Sequence, residues 1–132
     1  MSDAAQHQQS ATEVTILIVE DDPLVAMDLA MQVEDLGYVV IGPFHDVGSA
    51  LEHLDLALPD AAILDYNLGA DTTSRAIAER LIEASVPVTF LSGYSGDDFL
   101  SEENAGLYSV LSKPIAAPEL KQGLAGMLDL ER

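Results

Sequence analysis

The stretch Val14-Thr15-Ile16-Leu17-Ile18-Val19-Glu20-Asp21-Asp22-Pro23 decides the fold. Its first six residues are apolar or β-branched without alternation, the pattern of a strand buried on both faces. Three acids follow at once. Asp22 is a good helix N-cap, and Pro23 suits the first helical position. A buried strand therefore passes into a helix through an acidic corner. The same grammar recurs downstream. Ala61-Ala62-Ile63-Leu64 ends on Asp65, Val88-Thr89-Phe90-Leu91 ends on Ser92, and Val110-Leu111 leads to Ser112-Lys113-Pro114. Four strands deliver acid, acid, hydroxyl and amine, in that order. In an open parallel sheet the carboxyl ends of the strands share one edge, where ligands bind. These groups can converge there on a divalent cation and a phosphoryl group.

The segments between these strands read as helices. Leu24, Met27, Met31 and Leu36 form an apolar stripe on a first helix that stops at Gly37. Tyr38–Ile41 reads as a second strand closed by Gly42-Pro43. A helix is expected from about Asp46 to Ala57, with Val47, Ala50, Leu51 and Leu54 inward. Asn67-Leu68-Gly69 reads as a tight turn. Thr72 or Thr73 is the expected cap of a helix running to about Ala84, with Ile77, Leu81 and Ile82 inward. Pro87 opens the fourth strand, and a short helix is expected near Asp97–Asn104. Tyr108–Leu111 reads as the fifth strand and Pro118–Leu130 as the last helix, with Leu120, Leu124, Met127 and Leu128 inward. Alternating strands and helices predict an α/β fold with a parallel sheet and right-handed crossovers.

At 132 residues and 48% hydrophobic content, the chain fits one domain with a real core. Residues 1–12 are polar and rich in Gln, Ser and Ala, and read as a disordered tail ahead of a domain spanning 13–132. Without Cys, disulfides and thiolate metal sites are excluded, which suits the cytosol. No run is long enough to span a membrane, and no signal peptide is visible. Five Lys and Arg against 23 Asp and Glu give a formal net charge of −18. Such a surface repels nucleic-acid phosphates and argues against direct DNA or RNA binding.

The acids favour a hard cation. Mg²⁺ prefers oxygen ligands, keeps several waters and takes one or two carboxylates. Asp21 and Asp65 can supply the carboxylates, Glu20 can hold a coordinated water, and the backbone carbonyl of Asn67 can complete the set. An aspartate can also act as nucleophile toward phosphorus. Asp65, a lone acid leaving a buried strand, suits that role. Phosphoryl transfer depends on positioning and charge neutralisation. Lys113 would supply a fixed positive charge and Ser92 a hydroxyl donor. Pro114 would stiffen the loop after Lys113, and the bond between them is a candidate for the cis form. Taken singly, each of these residues is ordinary turn or surface chemistry. The four together, each ending a strand in the right order, carry the reading. His7, His45 and His53 show no ligand spacing and read as surface residues.

These residues resemble the receiver domain of two-component response regulators. Ile16 to Pro23 resembles the family's first strand and acid cluster. Pro59 to Asp65, followed by Leu68-Gly69, resembles the strand that bears the phosphoacceptor, and Ser112-Lys113-Pro114 resembles the Lys-Pro loop. The likeness covers about residues 14–130. It implies a flavodoxin-like fold with strand order 2-1-3-4-5 and a cytoplasmic, Mg²⁺-dependent phosphoprotein. A histidine kinase or histidine phosphotransfer protein would donate a phosphoryl group to Asp65. The domain would catalyse at most its own phosphorylation and dephosphorylation. The face made by the fourth helix, fifth strand and last helix would read out the change to a downstream protein partner. With no output domain in the chain, the expectation is a single-domain regulator in a phosphorelay.

Two features set it apart within that resemblance. Pro87-Val88-Thr89-Phe90-Leu91-Ser92-Gly93-Tyr94 is similar to the fourth strand of stand-alone receivers that read Pro-Phe-x-Phe-Ala-Thr-Gly-Tyr. Pro87, Phe90, Gly93 and Tyr94 agree, and Ser92 for Thr preserves the hydroxyl. The usual switch aromatic, three residues before the Lys, is Val110 here. Tyr94 is the candidate replacement. Two other readings compete. A Mg²⁺-dependent aspartyl phosphatase of the haloacid-dehalogenase type would need an Asp at Asn67 and a first-strand nucleophile. A receiver-like module that is never phosphorylated would be expected to lack an acid or the Lys.

Overall fold

The computed structural model describes residues 13–69, 72–92, 108–113 and 115–131. The expected tail, the helix near 97–104, Tyr94 and Pro114 with its peptide bond lie outside them, as does the side chain of Ser92.

Five strands are present, β1 (Thr15–Val19), β2 (Val39–Phe44), β3 (Ala61–Asp65), β4 (Val88–Ser92) and β5 (Tyr108–Ser112). All pairings are parallel, in the order β2-β1-β3-β4-β5. The helices among the described residues are α1 (Pro23–Asp35), α2 (Val47–Leu54), α3 (Arg75–Glu83) and α4 (Ala117–Glu131). Because side chains alternate along a strand, β1 serves two cores. Leu17 and Val19 join Ala62, Leu64, Val88 and Phe90 under α2 and α3. Ile16 and Ile18 join Ala61, Ile63 and Leu91 under α1 and α4. The central strands β1 and β3 are hydrophobic throughout because both faces are covered.

Four expectations need correction. First, α1 packs through Ala26, Leu29 and Val33, while Leu24, Met27 and Met31 are 77%, 58% and 56% exposed. Both stripes have helical spacing, and they are offset by two residues, or roughly 200° around the helix. The short Glu20–Asp22 connection and the Asp22 cap fix the rotation of α1 and turn the second stripe to the sheet.

Second, β2 continues through Gly42-Pro43 to Phe44. Its register against β1 shifts between Leu17 and Val19, as at a β-bulge. Gly42 has φ +100°, and a Cβ there would lie 2.7 Å from the Phe44 nitrogen. At this edge strand the missing N–H of Pro43 costs no ladder bond.

Third, α3 starts at Arg75 rather than after a Thr72 or Thr73 cap. The threonines close the preceding loop instead. Leu68 N–H donates to the Thr72 carbonyl, Thr72 N–H donates to that of Gly69, and Thr73 bridges to Asn67. Fourth, α2 ends at Leu54, short of Ala57. The last helix keeps its expected inner face, with Leu120, Leu124 and Met127 buried and Leu128 partly so.

Candidate functional site

The site forms at the carboxyl edge of the sheet. Asp65 is the last residue of β3 and only 5% exposed. Glu20 follows β1 and is fully buried. The backbone explains why a carboxylate turns inward there. Glu20 N–H donates to the Phe44 carbonyl, His45 Nδ1–H donates to the Glu20 carbonyl at 2.9 Å, and Asp22 N–H donates to Glu20 Oε2 at 3.0 Å. Asp21, between them, stays exposed. Lys113 follows β5, and its Nζ lies 3.1 Å from Glu20 Oε1 and 3.1 Å from Asp65 Oδ2.

One oxygen each of Glu20, Asp21 and Asp65 lies within 4.8 Å of the others. Three carboxylates thus share a small volume with one ammonium. Desolvation by burial pushes the Asp65 carboxyl up to about 7, and the neighbouring Glu20 adds to the rise against the pull of Lys113. Burial works against the Lys113 ammonium. Its bonds to Glu20 and Asp65 outweigh that and hold its pKa above the ordinary lysine value. Glu20 Oε1 is buried, with the Lys113 ammonium 3.1 Å away as its charge partner.

The β3–α3 loop closes the site. Gly69 has φ +85°, and a Cβ there would stand 3.3 Å from Asp21 Oδ2. The loop therefore lies against that carboxylate. Asn67 is exposed in the same loop and bridged to Thr73.

The structure brings together Glu20, Asp21, Asp65 and Lys113 as the sequence pattern demands. Ser92 ends β4 at the same edge, paired with Ser112 and one residue beyond Leu91, the partner of Asp65. Val110, paired with Phe90 on β5, is 38% exposed.

Of the histidines read as surface residues, His45 is exposed as expected and His53 is not fully so. His45 is exposed but bonded to the backbone of the acidic corner. Its place directly after a strand was the available signal. His53 is half-buried, its ring 5.6 Å from that of Phe44 and its Nε2 unpartnered.

This geometry has a known counterpart. A family profile described as the response regulator receiver domain matches residues 16–125. The chain belongs to the response-regulator receiver family. The receiver is 31% identical over 110 residues to the transcriptional regulatory protein PdtaR of Mycobacterium tuberculosis, covering 80% of this chain and 52% of that protein. It is 36% identical over 110 residues to the phyllosphere-induced regulator PhyR of Methylorubrum extorquens, covering 79% of this chain and 39% of PhyR. The receiver thus spans about half or less of the length of these curated relatives. The solution structure of SdrG from Sphingomonas melonis superposes with a TM-score of 0.74 at 36% identity, over 88% of this chain and 97% of SdrG.

Receivers are signalling domains rather than an enzyme family, and the aspartyl-phosphatase reading gains no support. No helix among the described residues is long and apolar enough to cross a membrane.

Proposed function

We propose that Asp65 accepts a phosphoryl group from a phosphohistidine on a histidine kinase or phosphotransfer protein, and that the receiver thereby switches its affinity for a downstream protein in the cytoplasm. One observation carries this reading. A carboxylate at the end of a buried strand stands 3.1 Å from a lysine ammonium, amid two further carboxylates.

The residues fit Mg²⁺. The donors are all hard oxygens, and one each from Glu20, Asp21 and Asp65 lies close enough to the others to share an ion. Asp21, Asp65 and the Asn67 carbonyl would hold the ion, with Glu20 reaching it through a coordinated water. When bound, it neutralises charge on the phosphoryl oxygens. An Asp65 oxygen attacks phosphorus, the P–N bond breaks, and the imidazole nitrogen leaves with the bonding pair and regains a proton from water. Attack needs the ionised carboxylate, and Lys113 favours that form against the burial that opposes it. Lys113 then pairs with a phosphoryl oxygen. Ser92 donates to another, and Tyr94 stands in for the switch aromatic that Val110 replaces. A module that only binds would not need a buried carboxylate beside a lysine and an open acid cluster. The acidity of the chain disfavours nucleic acid as a direct ligand.

The test is intact mass after incubation with acetyl phosphate and Mg²⁺. Wild type should gain one phosphoryl group, lost when the metal is chelated, and Asp65→Asn should gain none. Equal labelling of Asp65→Asn would refute the assignment.

A further inference from the structure

Within the acid cluster, Asp21 is the member without a polar partner. It is exposed, and no described residue donates a hydrogen bond to its carboxylate. Glu20 and Asp65, by contrast, each meet the Lys113 ammonium at 3.1 Å. One Asp21 oxygen nevertheless lies within 4.8 Å of theirs. The direction of that side chain is therefore set by its backbone.

A peptide unit is planar, so a hold on one of its polar atoms restrains the whole plane. Two such units flank Asp21. The one after it is held from within the corner, because Asp22 N–H donates to Glu20 Oε2 at 3.0 Å. The one before it is held from outside the corner. Its carbonyl, that of Glu20, accepts from His45 Nδ1–H at 2.9 Å. A carbonyl only accepts, so the ring proton sits on Nδ1. With both planes held, the direction of the Asp21 Cα–Cβ bond is held as well.

His45 has little freedom of its own. β2 runs to Phe44, whose carbonyl accepts from Glu20 N–H at 2.9 Å. α2 is capped at Asp46, whose carboxylate accepts from Ser49 N–H at 2.7 Å. His45 is the single residue between these anchors. The register shift that pairs Phe44 with Val19 sets it beside the corner. The ring is exposed, so water can satisfy the Glu20 carbonyl in its place. What the imidazole adds is direction.

We infer that His45 is a positioning residue for the metal: its Nδ1–H fixes the Glu20–Asp21 peptide and so aims the Asp21 carboxylate at the ion that Asp65 shares. The inference rests on the Mg²⁺ site of the phosphoacceptor reading, and it adds to that site a residue that follows the edge strand. His45 acts through Asp21 and not on the ion itself, and no change of charge on the ring is involved. A group that orients a metal ligand in this way is typically worth about ten- to a hundredfold in affinity.

The test is Mg²⁺ affinity of the full chain by isothermal titration calorimetry, for wild type, His45→Ala and His45→Asn. The Asn amide carries an N–H close to where Nδ1 stands and can keep the bond, which Ala cannot. His45→Ala should weaken Mg²⁺ about tenfold, and His45→Asn should stay within about threefold of wild type. The Mg²⁺ concentration for half-maximal labelling of Asp65 by acetyl phosphate should rise by the same factors. In EDTA, nitrogen NMR of the wild-type ring should find the proton on Nδ1. The Asp21 and Asp22 amide resonances should move more in His45→Ala than in His45→Asn.

Wild-type affinity in His45→Ala overturns the inference. So does a His45→Asn as weak as His45→Ala, or an unprotonated Nδ1, and the ring spectrum needs no variant. A role confined to folding would lower the urea midpoint of His45→Ala and leave its Mg²⁺ affinity alone. Wild type that binds Mg²⁺ but takes no phosphoryl group rejects the phosphoacceptor reading, with His45 still judged by the affinities. Wild type that is labelled, beside a His45→Ala of equal affinity, rejects the His45 inference alone. Absence of Mg²⁺ binding by wild type rejects both.

Discussion

Helices α1 and α3 flank the sheet on opposite sides, and each buries three apolar residues against it. Ala26, Leu29 and Val33 serve α1, and Ile77, Ala78 and Leu81 serve α3. Both expose acids, but only α1 also exposes large apolar side chains. α3 shows Arg75, Glu79, Arg80 and Glu83 to solvent, with Arg75 paired to Glu79 and Arg80 to Asp55 at the end of the neighbouring helix α2. α1 shows Leu24, Met27 and Met31. An outer face made of charge is finished by water. An outer face that includes Leu and Met leaves apolar area in contact with water. The difference leaves exposed apolar side chains on the α1 side and paired charges on the α3 side.

The largest effects test which stripe of α1 is core. Leu29→Ala and Leu81→Ala each remove a buried side chain and should each cost about 2–5 kcal/mol in urea unfolding. Met27→Ala should stay within about 0.5 kcal/mol, as for a surface change away from any packed feature. A Met27→Ala cost equal to that of Leu29→Ala would place the outer stripe in the core and erase the contrast between the helices.

The connections into the two helices meet at Asp65 and Glu20, and pH separates their contributions. With its folded pKa near 7, Asp65 keeps a proton that the unfolded chain releases near pH 4. Its contribution to stability therefore falls as pH rises through that window and is lowest above pH 7. Asp65→Asn removes the slope. The variant should match wild type near pH 4 and exceed it at pH 8 by on the order of 1–2 kcal/mol, measured by thermal unfolding in EDTA. A variant that loses stability at pH 8 would mean that the pair with Lys113 outweighs burial.

Much of this was legible before the structure. The inner strands β1, β3 and β4 were visible because unalternated apolar runs fit doubly covered strands, and Glu20, Asp21, Asp65 and Lys113 were visible because they follow or end strands. The α1 face was not legible. Two stripes with the same spacing are equivalent on a helical wheel, and only the short connection from β1 chooses between them. The continuation of β2 was hidden because Gly-Pro normally stops a strand, and the edge position that tolerates it is a tertiary fact. The start of α3 was misplaced because Thr72 and Thr73 are good caps, yet their backbones are used to close the loop that carries Asn67 and Gly69 past Asp21.

The same two helices differ least, but most sharply in sign, at their first turns. Asp22 caps α1 by accepting from Leu24 N–H at 2.9 Å and Val25 N–H at 3.3 Å. Ser74 occupies the corresponding place on α3 and makes no capping bond, and its hydroxyl is buried without a partner. Asp22→Ala should therefore cost about 1 kcal/mol, the usual worth of a working cap. Ser74→Ala removes a hydroxyl whose desolvation nothing offsets, so it should be neutral or stabilising by up to about 1 kcal/mol. Urea unfolding of both variants at constant m-value decides the matter. A loss at Ser74 as large as that at Asp22 would mean that its hydroxyl has a donor or acceptor in solution, and that α3 is capped as firmly as α1.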